Sequence, residues 1–289
     1  MPLIDALVAQ PALLAACALL LGLLVGSFLN VVIYRLPVML ERQWRAESSE
    51  LLGLDDHAVE RPPFNLLVPR SRCGDCGAVI APWHNIPLLG WLLLRGRCAS
   101  CGARICVQYP LVELASGLMT LGAVLHFGAS AQALAAMLLG WALLALAVID
   151  LRTTLLPDTI TLPLLWLGLL VNSAGLFTGL YSSLYGAVLG YLLLWSVYWL
   201  FKLITGKEGM GYGDFKLLAL LGAWLGWQML PLIVLLSSLL GALIGIGLIL
   251  LRGRDRNIPI PFGPYLAIAG WIALLWGEDL TRRYLLLLG

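Results

Sequence analysis

Two aspartates stand where a carboxylate is costly to keep. Asp150 closes a long apolar run and is followed by Leu151-Arg-Thr-Thr-Leu-Leu-Pro-Asp158, while Asp214 lies in Gly209-Met-Gly-Tyr-Gly-Asp-Phe-Lys216, where the next apolar run begins. Carboxylates at a bilayer boundary mark functional sites, or else are solvated interfacial charges beside a basic neighbour such as Arg152 or Lys216. Spacing alone leaves both readings open. The surrounding glycines, Gly211 and Gly213 among them, admit backbone conformations and close approaches that suit a site receiving an extended peptide. Pro157 interrupts helical continuity just after the first acid. Two carboxylates within reach of one another share a proton, because like charges at short range cannot both ionise. One then serves as general base on a water while the other polarises a carbonyl. Asp158, in the same loop as Asp150, competes for membership of the pair.

A second cluster points to metal. Cys73-Gly-Asp-Cys76 and Cys98-Ala-Ser-Cys101 are two CxxC pairs with the spacing of a four-thiolate zinc site. Two disulfides are the competing reading, disfavoured in a reducing compartment. With four protein ligands zinc keeps no open position for water, so its role is to staple a small domain rather than to catalyse. Cys17 and Cys106 read as small apolar residues. His57, His84 and His126 lack ligand spacing and are assigned nothing.

The elements that position these residues are membrane helices. The chain is 61% hydrophobic and 12% charged, with mean hydropathy +0.92, far from the balance of water-soluble domains. Apolar runs suggest eight spans: 12–33, 111–127, 131–149, 160–178, 181–203, 215–227, 230–251 and 260–276. The first lacks the cleavage site of a removable signal and reads as retained. Of the 18 Lys and Arg residues, nine lie in the polar stretch after the first span, Arg35 to Arg104. Seven more, Arg152, Lys202, Lys207, Lys216, Arg252, Arg254 and Arg256, fall on the same side by parity, leaving Arg282 and Arg283 opposite. The positive-inside rule therefore puts both termini outside and the cysteine domain, Asp150 and Asp214 in the cytoplasm. The expected fold is an all-α polytopic membrane protein of about eight helices with a small zinc-knuckle domain inserted after the first. Its division is 1–33, first helix; 34–110, cytoplasmic domain; 111–289, seven-helix membrane domain. A net charge of +2 without a basic stripe excludes a nucleic-acid partner. The bilayer is one partner; oligomeric state is not encoded legibly.

Gly26-Ser-Phe-Leu-Asn-Val-Val-Ile-Tyr-Arg-Leu-Pro37, the paired CxxC knuckles with Asn85-Ile-Pro87 and Arg95-Gly-Arg-Cys98, Tyr109-Pro110 and Glu113, Gly211-Tyr-Gly-Asp214 with Lys216, and Pro261-Phe-Gly-Pro264 occur in this order. Together they resemble the type IV prepilin peptidases, bifunctional leader peptidases and N-methyltransferases of the bacterial inner membrane. The resemblance implies an aspartic endopeptidase with Asp150 and Asp214 as catalytic pair. Such an enzyme cuts type IV prepilins and type II secretion pseudopilins on the cytoplasmic side and methylates the new N-terminus from S-adenosylmethionine. It also places Gly96 at a position linked to methylation, and Asn30, Arg35, Gly211, Gly213 and Lys216 near substrate or methyl donor. Asn30 and Arg35 read equally well as helix-end anchors, and Pro261 to Pro264 as the start of the last helix in preference to a loop near the aspartates. The segment 42–61 reads as a solvated insertion. A transporter would place carboxylates nearer the bilayer midplane. A non-enzymatic secretion scaffold would tolerate loss of both aspartates.

Overall fold

The structure is a computed structural model describing residues 10–53, 63–252 and 261–288. His57, Arg61, Arg254, Arg256 and part of the 42–61 insertion lie outside these residues. Among the described residues there is no sheet, only two isolated bridges. Helices α1 (Pro11–Leu51), α2 (Leu89–Leu93), α3 (Gln108–Phe127), α4 (Ala131–Thr153), α5 (Asp158–Ser173), α6 (Leu180–Thr205), α7 (Tyr212–Leu225), α8 (Leu230–Arg252) and α9 (Gly263–Leu288) follow one another. Each expected apolar run overlaps one of these helices, though several bounds differ. Helix is what a bilayer demands, because hydrocarbon offers backbone N–H and C=O groups no partner outside the segment itself. Five helical stretches, Pro11–Leu51, Gln108–Phe127, Ala131–Thr153, Leu180–Thr205 and Trp227–Gly247, are long and apolar enough to cross a membrane.

Two compact units divide at Leu125 and His126. In the first, α1 does not end at Ile33: it runs unbroken through Pro37 to Leu51. Gln43 to Glu47 and Arg45 to Glu41 contacts at i,i+4 spacing support its polar extension. Helices α1 and α3 meet through small residues. A methyl on Gly26 would come 2.7 Å from Glu113 Cα, and Ser116 Oγ donates to the Gly22 carbonyl at 2.6 Å.

In the second unit α7 is the hub. It packs against α5, α6 and α9, and all but its first two and one other residue are buried. Its 14 residues rise about 21 Å, less than the roughly 30 Å of hydrocarbon. Its last carbonyls are therefore finished by protein rather than by water. Asn172 Nδ2 donates to the carbonyls of Ala223 and Trp224 at 2.9 and 2.8 Å, and Ser183 Oγ donates to Ala223. Asn172 Oδ1 accepts from the Phe177 and Thr178 N–H groups. This capping stops α5 at Ser173, short of the expected 178. Gly186 and Gly222 bring α6 and α7 into backbone contact that no side chain would permit.

Candidate active site and metal site

Helix α4 ends at Thr153, with Thr154 in the left-handed conformation and its N–H bonded to the Asp150 carbonyl at 2.8 Å. Leu155 to Pro157 cross to α5, whose N-cap is Pro157. Asp150 is 5% exposed. Its Oδ2 accepts the backbone N–H of Gly263 at 3.0 Å, so the positive end of α9 faces the carboxylate. The approach needs glycine: a Cβ at 263 would lie 2.6 Å from that oxygen. The segment Pro261 to Pro264 thus starts the last helix and also touches the first aspartate.

Asp214 sits in the first turn of α7 and is 7% exposed. Leu156 joins the two acid-bearing segments. A Cβ on Gly213 would meet Leu156 Cβ at 2.8 Å, and one on Gly263 would meet Leu156 Cδ1 at 3.3 Å. Asp214 lies within electrostatic reach of Asp150. Gly211 is the N-cap, with its carbonyl accepting the Asp214 N–H at 3.2 Å. Lys216 Nζ contacts both oxygens of Asp158 at 2.7 and 2.8 Å, strapping the start of α5 to the start of α7. Asp158 is therefore engaged with a cation at a half-exposed position, whereas Asp150 and Asp214 are both buried. Two buried carboxylates at adjoining helix ends can hold one proton between them and work as an acid and base pair. Leu156 is the participant that sequence reasoning missed, while Gly263 belongs to the Pro261–Pro264 motif, which reads in sequence as the start of a helix in preference to a loop near the aspartates.

In the first unit the four cysteines form the expected cluster, their Sγ atoms all within 4.8 Å of one another. Each CxxC is a tight knuckle of the same design. The Cys73 N–H bonds the Ala78 carbonyl and that of Gly77 the Cys73 carbonyl; Cys98 with Ala103 and Gly102 with Cys98 repeat the pattern. The backbone N–H groups of Cys101 and Ser100 point at the Cys98 thiol and hold it down to about 6, favouring the thiolate that binds metal. The cluster can hold a metal ion. Cys73 and Cys101 Sγ stand 3.9 Å apart, far from disulfide bonding. Cys106 is exposed and outside the cluster.

Two family models match the chain: the bacterial peptidase A24 N-terminal domain over residues 20–127 and the type IV leader peptidase family over 137–246. Full-length relatives named "Prepilin leader peptidase/N-methyltransferase" agree. That of Pseudomonas aeruginosa is 58% identical over 285 residues, 99% of this chain and 98% of its own. That of Aeromonas hydrophila is 58% identical over 275, 95% of each, and that of Xanthomonas campestris pv. campestris 50% over 265, 92% of each. The chain belongs to the type IV leader peptidase family. No solved structure matches it.

Within this leader peptidase family member, Asp150 and Asp214 fall inside the second family match and the cysteines inside the first, while Gly263 lies beyond both. Asn30 and Arg35 sit in the first unit. Asn30 is 5% exposed and donates to the Tyr109 carbonyl at 3.1 Å. Arg35, 7% exposed, donates to the carbonyls of Asn65 and Pro69 and faces the Phe64 ring. Its guanidinium thus ties the inserted segment to α1. Glu113 does the same farther on, accepting the Leu88 N–H at 2.8 Å. Gly96, at φ +68°, has a Cβ position 2.9 Å from the Trp91 ring, and Trp91 Nε1 donates to the Ile105 carbonyl. Only glycine fits that turn.

Proposed function

We propose that this protein removes the leader of type IV prepilins and type II secretion pseudopilins and then N-methylates the exposed terminus, as the names of its relatives suggest. The observation that carries the peptidase reading is the pair of buried carboxylates at adjoining helix ends, Asp150 held by the Gly263 N–H and Asp214 in the first turn of α7.

Burial and mutual repulsion favour a singly protonated pair. The ionised partner takes a proton from water as the oxygen attacks the scissile carbonyl, and the protonated partner hydrogen-bonds that carbonyl. The tetrahedral intermediate collapses when a carboxyl proton passes to the departing amine, leaving a new carboxylate and a new N-terminus. Gly213 lets Leu156 pack against the start of α7, Gly211 leaves the space beside Asp214 open, and Lys216 holds the Asp158 loop. A transporter reading is disfavoured because both carboxylates sit at helix ends rather than at the bilayer midplane.

The four thiols suit zinc. Cys73, Cys76, Cys98 and Cys101 would fill its tetrahedron, and the ion would supply structure rather than catalysis. The relatives' name implies a methyl donor, which we take to be S-adenosylmethionine, with Gly96 on the methylation side and Asn30 and Arg35 near substrate or donor. In the organisation we favour, the chain crosses the bacterial inner membrane eight times. Residues 1–33 anchor it, 34–110 form the cytoplasmic zinc domain, and 111–289 carry proteolysis at the cytoplasmic face. The test is cleavage and methylation of purified prepilin by wild type, Asp150→Asn and Asp214→Asn with the methyl donor present. Loss of cleavage in both, with methylation of a pre-cut pilin retained, supports the pair; normal cleavage by either one refutes it.

A further inference from the structure

The inserted segment of the first unit changes character between its two knuckles. No Asp, Glu, Lys or Arg occurs between Asp75 and Arg95, and this stretch folds as a one-turn helix, Pro82–Asn85, followed by α2. The two are locked together. A Cβ on Gly90 would lie 2.1 Å from the His84 carbonyl oxygen, and the Trp91 ring turns inward beside Gly96 with its Nε1 donating to the Ile105 carbonyl. At the pitch of an α-helix, an inward Gly90 and Trp91 leave Leu89, Leu92 and Leu93 together on the outward side. They are 56%, 61% and 75% exposed, and Trp83 and Ile86, just before them in the chain, 63% and 45%. A surface helix in water shows the reverse arrangement, with polar residues outward. A large exposed apolar patch marks a contact, and among the described residues nothing of the chain covers this one.

What covers it follows from its height on the long helices of the same unit. Leu88, immediately before α2, gives its N–H to Glu113 Oε2 at 2.8 Å. Glu113 stands five residues beyond Gln108, the first residue of α3, about 7.5 Å along the axis, and two residues past Leu111, where the apolar run begins. On α1, Asn30, which donates to the Tyr109 carbonyl, lies three residues before Ile33, where the first apolar run ends. The tie at Glu113 is thus level with the ends of both apolar runs, in the headgroup and upper acyl region of a bilayer. Charge returns directly after the patch. Arg104 precedes α3 by four residues and Arg97 is bridged to it, close enough to the helix entrance for both exposed cations to stay among lipid phosphates. An exposed apolar face with a tryptophan, next to arginines and level with a bilayer boundary, has the make-up of an interfacial segment.

We propose that residues 86–94 form a wedge inserted in the cytoplasmic leaflet, with Leu89, Leu92 and Leu93 among the upper acyl chains, so that the four-cysteine domain lies on the membrane surface. The occupant of the patch is lipid. The proposal rests on α1 and α3 spanning the bilayer and is independent of the peptidase and methyl-transfer chemistry.

The experiment uses the full chain in phosphatidylcholine vesicles at a low protein-to-lipid ratio, with a coumarin amino acid placed, one site at a time, at Leu92, Leu93, Leu20 or Ser100. All four side chains are exposed, so the label is expected to leave the melting temperature unchanged. Leu20, well inside the first apolar run, is the bilayer control, and Ser100, in the second knuckle, the water control. Quenchers are iodide in the water and nitroxide lipids labelled near the glycerol or near the end of the acyl chain. An interfacial segment sits about 5–10 Å into the headgroup and acyl boundary, so positions 92 and 93 should be quenched about threefold more by the shallow nitroxide than by the deep one. Both should resist iodide, which should quench position 100 freely. Iodide access at 92 and 93 equal to that at 100 overturns the proposal by leaving the patch in water. Protection there from iodide and from both nitroxides overturns it as well, because protein then covers the patch. Failure of either nitroxide to quench position 20 overturns it together with the span reading of α1 on which it rests.

Discussion

Replacing Gly263 with alanine probes the junction of α9 with Asp150 without touching a carboxylate. The added methyl would lie 2.6 Å from Asp150 Oδ2, 3.2 Å from its Cγ and 3.3 Å from Leu156 Cδ1. Contact with oxygen and carbon needs roughly 3.3 Å or more, so the carboxyl must withdraw by several tenths of an ångström. The hydrogen bond from the residue 263 N–H, now 3.0 Å, then lengthens or breaks. Hydrogen bonds to charged groups contribute about 1.5–3 kcal/mol, which at 1.36 kcal/mol per tenfold corresponds to a loss of roughly 10- to 150-fold in kcat/KM. The assay is cleavage of a purified prepilin in detergent, with thermal unfolding of each variant measured alongside. Gly247→Ala is the matched control, because a Cβ there meets nothing within 4 Å; it should cleave normally. Cleavage by Gly263→Ala within twofold of wild type would refute the claim that this N–H orients Asp150. So would a loss of cleavage matched by an equal loss of folded protein.

Three further perturbations separate the roles of neighbouring groups. Asp158→Asn removes a half-exposed partner of Lys216, an interaction of about 0–1 kcal/mol, so cleavage should fall less than about fivefold; abolition would make Asp158 a member of the catalytic pair. Asn172→Ala strips partners from two carbonyls and two N–H groups at the end of α7, and thermal or denaturant unfolding should show about 2–3 kcal/mol of destabilisation. Cys98→Ser should lower bound zinc, measured by metal analysis of the purified protein, from about one ion per chain to near zero, while retention of a full equivalent would exclude the four-thiolate site.

The fold class and the positions of the helices are legible in the amino-acid sequence, because a bilayer makes the rule simple. Long apolar runs must be helical, and charges must gather at their ends. The CxxC pairs are equally legible, since a knuckle is a local structure whose turn residues, Gly77 and Gly102, lie beside the motif. Helix ends are less so. The fourth span stops at Ser173 because Asn172 turns to cap a helix 51 and 52 residues away, and α1 continues past Ile33 where hydropathy alone places a boundary. Counting helices puts Asp150 and Asp214 at the same membrane face, but counting cannot bring them together. That depends on Leu156 packing between two glycines and on a backbone N–H supplied 113 residues downstream. Arg35 likewise reads in sequence as a helix-end cation and in space as the donor to two carbonyls 30 and 34 residues away. Hydropathy and local spacing record what each segment needs from its solvent. Which segments satisfy one another's buried polar groups depends on the packing of the whole chain.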